Sequence, residues 1–340
     1  MKKVAYIITG ALLSLLLSGC EKQPAAETVD APAKRVITFG IRLNDGTKVS
    51  PSPTSAQEGA INKLAVLVFN GNYIEDRIET TTDTSVDFEL EPGEYTVVAV
   101  ANYGTNSPMS STTLSGVRAI NSLLDDNSVG NFVMYGEKSV TVTRTSGSTE
   151  YIQLKRLVAK LGIKKISVGF TSPVVATRTF TLRKIYVTNA FRQNSLYAAS
   201  TPVATTSLWY NRKAYASSAK NDILAETGIN TVIAQGSSNT TEHYFYCYEN
   251  SITSANDVQG GTWSPRCSRM VIEATVGSDT FYWMITVPNI VRNKTYFAQE
   301  VIIRKLGSTN PDVYIPGAAD VSFEPDNDDW EFEYDVDETF

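Results

Sequence analysis

Apolar side chains at every second position, in short segments divided by turn residues, set the strongest limit on what this chain can fold into. Ile37, Phe39, Ile41 and Leu43 alternate with Thr38, Gly40 and Arg42, as in a strand with one buried face. SVDFELE (85–91) alternates Val86, Phe88 and Leu90 in the same way. INKLAVLVFN (61–70) predicts another strand, and YTVVAVAN (95–102), apolar almost throughout, predicts a strand buried on both faces. Between SVDFELE and YTVVAVAN, Pro92 and Gly93 mark a turn, read as type II with Gly93 at positive φ. FVMYGEKSVTVT (132–143) and TEYIQLKRLVAKLGIKKISVGF (149–170) complete the strands of the first half. The second half repeats the style without repeating the sequence, at TFTLRKIYVTNA (179–190), HYFYCYEN (243–250), SRMVIEATV (268–276), DTFYWMITVP (279–288) and TYFAQEVIIRKLG (295–307). Short helices are expected within Ser115–Leu124 and Ser217–Glu226. Strands at this spacing predict an all-β chain of sandwich type.

The last stretch, PDNDDWEFEYDVDETF, places Trp330, Phe332, Tyr334 and Val336 opposite Glu331, Glu333, Asp335 and Asp337. It reads as a strand apolar on one face and acidic on the other, with no turn after it to a partner. At the other end, Lys2 and Lys3 precede an apolar run over Val4–Leu17 that closes on Leu17-Ser18-Gly19-Cys20. This resembles a bacterial lipoprotein signal with its lipobox. The resemblance implies a lipoprotein signal peptide over residues 1–20, cleavage just ahead of Cys20, and acyl (palmitate-type) lipidation of Cys20 as the first residue of the mature chain. Residues 21–35, rich in proline, alanine and charge, then form a flexible linker or propeptide between lipid and fold.

The motifs together, in order and spacing, resemble the fimbrillins of Bacteroidetes, lipoprotein-derived subunits of type V surface pili. The resemblance rests on the lipobox, the first strand, INKLAVLVFN, EPGEYTVVAVAN, FVMYG, LKRLVAKLGI, FYCYEN and VRNKTYFAQEVIIRKLG. It implies two tandem transthyretin-like β-sandwich domains with minor helices, over residues 36–165 and 166–340. It further implies a structural subunit of a cell-surface fimbrium that serves adhesion, reaches the outer membrane on its lipid, and meets a processing protease there. In that family the protease removes the first strand, and the last strand of a neighbouring subunit fills the groove left behind. Ile37, Phe39, Ile41 and Leu43 would be the groove-filling set; Trp330, Phe332, Tyr334 and Val336, within 329–340, would be the donor set. The other pilin subunits, as copies of this chain or as relatives, are the implied partners.

The chain departs from the family at the processing site. Cleavage there usually follows an arginine in the loop after the first strand, and here no arginine stands between Arg42 and Arg77. Arg35 precedes the strand, so cutting at Arg35 would release lipid and leave the groove occupied; Lys48 is the other candidate. An uncut subunit would remain an anchor and a cut one would join the shaft.

Other chemistry has little to stand on. The formal charge of −6 argues against nucleic acid as a partner. His243 is the single histidine and sits in an aromatic strand, where a structural role is favoured over a base. No metal-ligand spacing, cofactor motif or enzymatic constellation stands out. Asp326-Asn327-Asp328-Asp329 lacks the glycine and distal glutamate of a calcium loop. Cys247 and Cys267 remain after Cys20; an oxidising compartment would allow them to pair, and spacing does not decide it. The competing reading is a surface lipoprotein that never polymerises and binds a glycan or host protein. Ser207–Tyr215 and Thr262–Pro265 would be its aromatic face, unless those aromatics plug the core.

Overall fold

The computed structural model describes residues 33–43, 55–145, 147–198, 204–217, 220–253 and 263–323. In chain order the first half runs β1 (Arg35–Leu43), α1 (Ser55–Glu58), β2 (Leu64–Asn70), β3 (Tyr73–Thr80), β4 (Ser85–Leu90), β5 (Gly93–Ala101), α2 (Leu114–Arg118), β6 (Asn121–Leu123), β7 (Met134–Val142) and β8 (Thr149–Arg156). The second half runs β9 (Val158–Ile163), β10 (Ile166–Val168), α3 (Pro173–Ala176), β11 (Phe180–Thr188), β12 (Ala190–Phe191), β13 (Gln193–Ser195), β14 (Trp209–Tyr210), α4 (Asn221–Leu224), β15 (Ala225–Ile233), β16 (Ser238–Asn239), β17 (His243–Tyr248), β18 (Ser268–Val276), β19 (Asp279–Val287), β20 (Thr295–Ile303) and β21 (Ala319–Phe323). The chain is all-β, with helices of one turn or little more.

In the first half seven strands hydrogen-bond in the order β3-β2-β5-β7-β8-β1-β4. The sheet folds over at β7–β8, which pair through just Met134 with Arg156 and Tyr135 with Lys155. The two arms then face one another. Val66, Val68, Val97, Ala99 and Met134 from one arm meet Ile37, Phe39, Phe88, Ile152 and Leu154 from the other in a single core. This accounts for the alternation in β1, β4 and β8, each of which has one side toward that core. β2 and β5 are apolar on both sides because Ala65, Leu67, Phe69, Val98 and Val100 face a second, larger core.

Between Arg156 and Val158 the chain leaves the first sheet for the second sandwich. β9 and β10 lie end to end along β20, both parallel to it. β17 and β16 flank them on the far side, and β21 pairs antiparallel with β20. The facing sheet is β15-β11-β18-β19. Phe180, Leu182, Ile272, Trp283 and Ile285 from it pack with Leu161, Ile163, Phe245, Val301 and Ile303. The same cluster contains the outer face of β2 and β5, so the two sandwiches share apolar packing.

One local reading needs correction, and the two expected helices are present but short. Gly93 is not in the left-handed region; it begins β5, and the turn at Pro92 is therefore not type II. Helix within Ser115–Leu124 is confined to α2, which ends at Arg118, and Asn121–Leu123 is strand. Helix within Ser217–Glu226 is the single turn α4, followed at once by β15.

Candidate functional site

β1 is the first strand of the described chain, yet it lies inside the sheet. It pairs antiparallel with β4 from Arg35–Leu90 to Gly40–Ser85, and parallel with β8 from Thr38–Thr149 to Leu43–Leu154. Ile37 and Phe39 are 1% and 0% exposed, and Ile41 and Leu43 pack against the same core. Phe39 meets Phe88 edge to face, with ring centroids 5.8 Å apart. Beyond the ladder, Ile41 N–H donates to the Thr84 carbonyl at 2.8 Å and Thr38 N–H to the Ser148 carbonyl at 3.0 Å. Burying each such side chain contributes roughly 1.5–3 kcal/mol, so β1 is held chiefly by its inward comb.

Three polar contacts add to the comb, one from Arg35 at the start of β1 and two from Thr38 and Arg42 on its outward side. Arg35 donates through Nε and Nη2 to the Arg144 carbonyl, at 3.1 and 2.6 Å. Thr38 Oγ1 donates to Asp87 Oδ1 at 2.7 Å. The Arg42 guanidinium lies 3.5 Å from the centre of the Tyr151 ring, a cation–π contact. Tyr151 also crosses Gly40: a Cβ there would stand 2.7 Å from a ring carbon. Arg35, a candidate processing residue, thus stands inside a paired strand, where a protease needs local unfolding to reach the backbone. Lys48, the lipidation candidate Cys20, and the donor set Trp330, Phe332, Tyr334 and Val336 lie outside the described residues.

A second cluster stands at the junction of the two halves. Glu58, at the end of α1, is 3% exposed and reaches into the second sandwich. Its Oε1 lies 2.7 Å from Lys160 Nζ and accepts from Tyr246 Oη at 2.6 Å, while its carbonyl accepts from Arg156 Nε at 2.9 Å. Burial pushes the Lys160 pKa down, and Glu58 opposes that shift. Burial and the Glu58 carboxylate together push the Tyr246 phenol up. Sequence reasoning did not single out Glu58, which sits in a polar stretch. A signal did exist in Lys160, a lone cation within LVAKLGI, because a buried lysine demands a partner.

The remaining candidates fall in the core. His243 is 1% exposed, with Nδ1 2.7 Å from Glu226 Oε2, tying β17 to β15 of the facing sheet. Cys247, opposite Ala159 near one end of the β17–β9 ladder, carries a buried thiol whose pKa is pushed up to about 12 by desolvation. No bridge joins it to Cys267, which is buried just ahead of β18. Trp209 and Trp263, proposed for an aromatic binding face, are buried against each other with rings 5.3 Å apart, and Trp209 stacks on Phe191. They plug the core.

Residues 37–180 match the family of the major fimbrial subunit protein (FimA). The chain is fimbrillin-like. The matched region opens within β1 and takes in the whole first sandwich. Solved structures extend the likeness in fold over both halves. A fimbrilin from Porphyromonas gingivalis W83 is 15% identical with a TM-score of 0.59, over 86% of this chain and 96% of that one. A candidate cell adhesion protein from Bacteroides eggerthii DSM 20697 gives 15% and 0.61, over 86% and 95%. The tip fimbrial protein Mfa3 from Porphyromonas gingivalis, solved with a C-terminal truncation, gives 15% and 0.50, over 85% and 98%. The family match points to a structural protein and not an enzyme.

Proposed function

We propose that this fimbrillin-like chain is a subunit of a cell-surface pilus whose units are joined by β-strand exchange and which serves adhesion. It is exported, lipidated at Cys20 and carried to the outer membrane. A cut within residues 44–54, with Lys48 the candidate site, severs β1; its departure opens a groove between β8 and β4 for the donor strand of a neighbouring subunit. Residues 329–340, through Trp330, Phe332, Tyr334 and Val336, act as donor in the next exchange.

The observation that supports this reading is the place of β1. It is an inner strand, and among the described residues it comes first and β4 has no other sheet neighbour. Loss of β1 would uncover Phe88, Ile152 and Leu154, now 0–2% exposed, and leave two strand edges unpaired. An open apolar groove with unpaired edges on both sides strongly favours capture of an incoming strand.

The test is the N-terminal sequence of the protein recovered from cell surfaces, with gels run without boiling. A start beyond residue 43 with a ladder of multimers is the expected result for a shaft subunit; a start at Cys20 with a ladder is expected for an anchor. A monomer that retains β1 under all conditions overturns strand exchange and favours the non-polymerising lipoprotein.

A further inference from the structure

We propose that the groove occupied by β1 selects a donor strand that is neutral or basic on its outward side, so its filler is a strand of a different subunit and not the acidic tail of another copy. This inference rests on the strand-exchange reading above and names the partner for that same groove.

The outward side of the groove is defined by what borders β1. On β4, Asp87 stands across from Thr38 and Glu89 across from Val36, both carboxylates exposed. On β8, Thr149, Tyr151 and Gln153 stand beside Thr38, Gly40 and Arg42. At the two ends stand Arg144, whose backbone carbonyl holds Arg35, and Lys155, one residue past the pairing of Leu43 with Leu154. The resident strand fits this border residue by residue. Thr38 donates to Asp87, Gly40 leaves room for the Tyr151 ring, and Arg42 supplies the cation that ring covers. None of Val36, Thr38, Gly40 and Arg42 is acidic.

The chain's own tail presents the opposite outward face. With Trp330, Phe332, Tyr334 and Val336 turned inward, Glu331, Glu333 and Asp335 all turn outward. Reversing the strand or sliding it by two residues leaves acid at those positions, because every outward residue from 331 to 337 is acidic. A carboxylate then faces Asp87 or Glu89, another crowds the Tyr151 ring in place of Gly40, and a third replaces the Arg42 cation. Like charges directly opposite across a ladder destabilise pairing, and two such pairs weaken binding by about tenfold at low salt. A matching donor has the same inward comb, with a hydrogen-bond donor, a small residue and a cation on its outward side.

The test uses the full chain with a specific protease site placed at Lys48 and cut after folding, so that the severed β1 stays seated. Three synthetic peptides compete to displace it: residues 34–43, residues 329–340, and residues 329–340 with Glu331→Thr, Glu333→Gly and Asp335→Arg. Displacement is read by size-exclusion chromatography and mass spectrometry at about 50 mM and about 500 mM salt. The first and third peptides are expected to displace β1, with the natural tail about tenfold weaker at low salt and the gap narrowing at high salt. Asp87→Lys with Glu89→Lys in the cut protein is expected to restore binding of the natural tail. If the natural tail matches the 34–43 peptide at both salt concentrations, groove selectivity is overturned and strand exchange stands. If no peptide displaces β1, not even its own sequence, strand exchange fails and this inference fails with it.

Discussion

Lys160 interrupts a strand that is otherwise apolar, and its ammonium group is 2% exposed. Its desolvation is offset by Glu58, which comes from the other half of the chain, from the turn of helix after residues 44–54. Removing one partner of such a pair strands a buried charge and costs about 3–5 kcal/mol. Glu58→Ala is therefore expected to lower stability by roughly that amount in urea unfolding, and adding Lys160→Met is expected to recover much of the loss. Equal stability of Glu58→Ala and the parent would remove Glu58 as the fastener between the sandwiches. Glu137 gives a pH-dependent counterpart. Burial pushes its carboxyl up, but hydrogen bonds from Arg118 and Tyr135 and the guanidinium charge pull it further down, to a net pKa below 4.5. The unfolded chain then holds that proton more tightly than the folded one. The stabilisation is thus present above about pH 4.5 and is lost as pH falls through the folded pKa. Glu137→Gln is expected to be less stable than the parent at pH 7, with the difference shrinking by pH 3, as read from thermal midpoints. A difference unchanged across that range would show that the ion pair contributes nothing.

Strands with a clear apolar period were legible in the sequence, and the reason is burial. β1, β4 and β8 each face one core and alternate; β2 and β5 face two and run apolar without a break. β3 and β15 were not legible. They are edge strands, β3 with Tyr73, Glu75, Asp76, Arg77 and Glu79 exposed and β15 with Glu226, Thr227, Gly228 and Asn230 exposed, so neither carries a core pattern. Their place is set by the neighbour they pair with, a tertiary fact that local residue choice does not encode. The candidate groove was legible as a comb at residues 37–43, but its outward selectivity was not, because Asp87 and Tyr151 come from strands far away in sequence. Phe39 is the element's central pin, at 0% exposure against Phe88. Phe39→Ala is expected to cost about 3–5 kcal/mol in denaturant unfolding of the uncut chain. In a chain cut at an introduced Lys48 site, the same change is expected to speed release of β1; unchanged stability and release would show that the inward comb does not hold the strand.

At the scale of the molecule, the two sandwiches share more than a linker. The outer face of β2 and β5 belongs to the same apolar cluster as β9, β11 and β18, and β6 pairs with β13 across the junction. Tyr248 Oη donates to Ser122 Oγ at 2.9 Å and accepts from Asn127 Nδ2 at 3.0 Å, adding buried polar ties between the halves. The chain passes from the last strand of the first sheet to the first strand of the next at Leu157. Because Ala65, Leu67, Phe69, Val98 and Val100 would meet water if the halves separated, separation is costly relative to the marginal stability of either half. The uncut chain is therefore expected to unfold in one calorimetric transition, with van't Hoff and calorimetric enthalpies in agreement. The same junction predicts that the second sandwich expressed alone, from Val158 onward, is destabilised and prone to aggregate. Pulling on a pilus would then load one cooperative unit per subunit instead of two in series. Two separate transitions, or an isolated second sandwich as stable as the whole, would show that the shared core is a contact surface between independent domains.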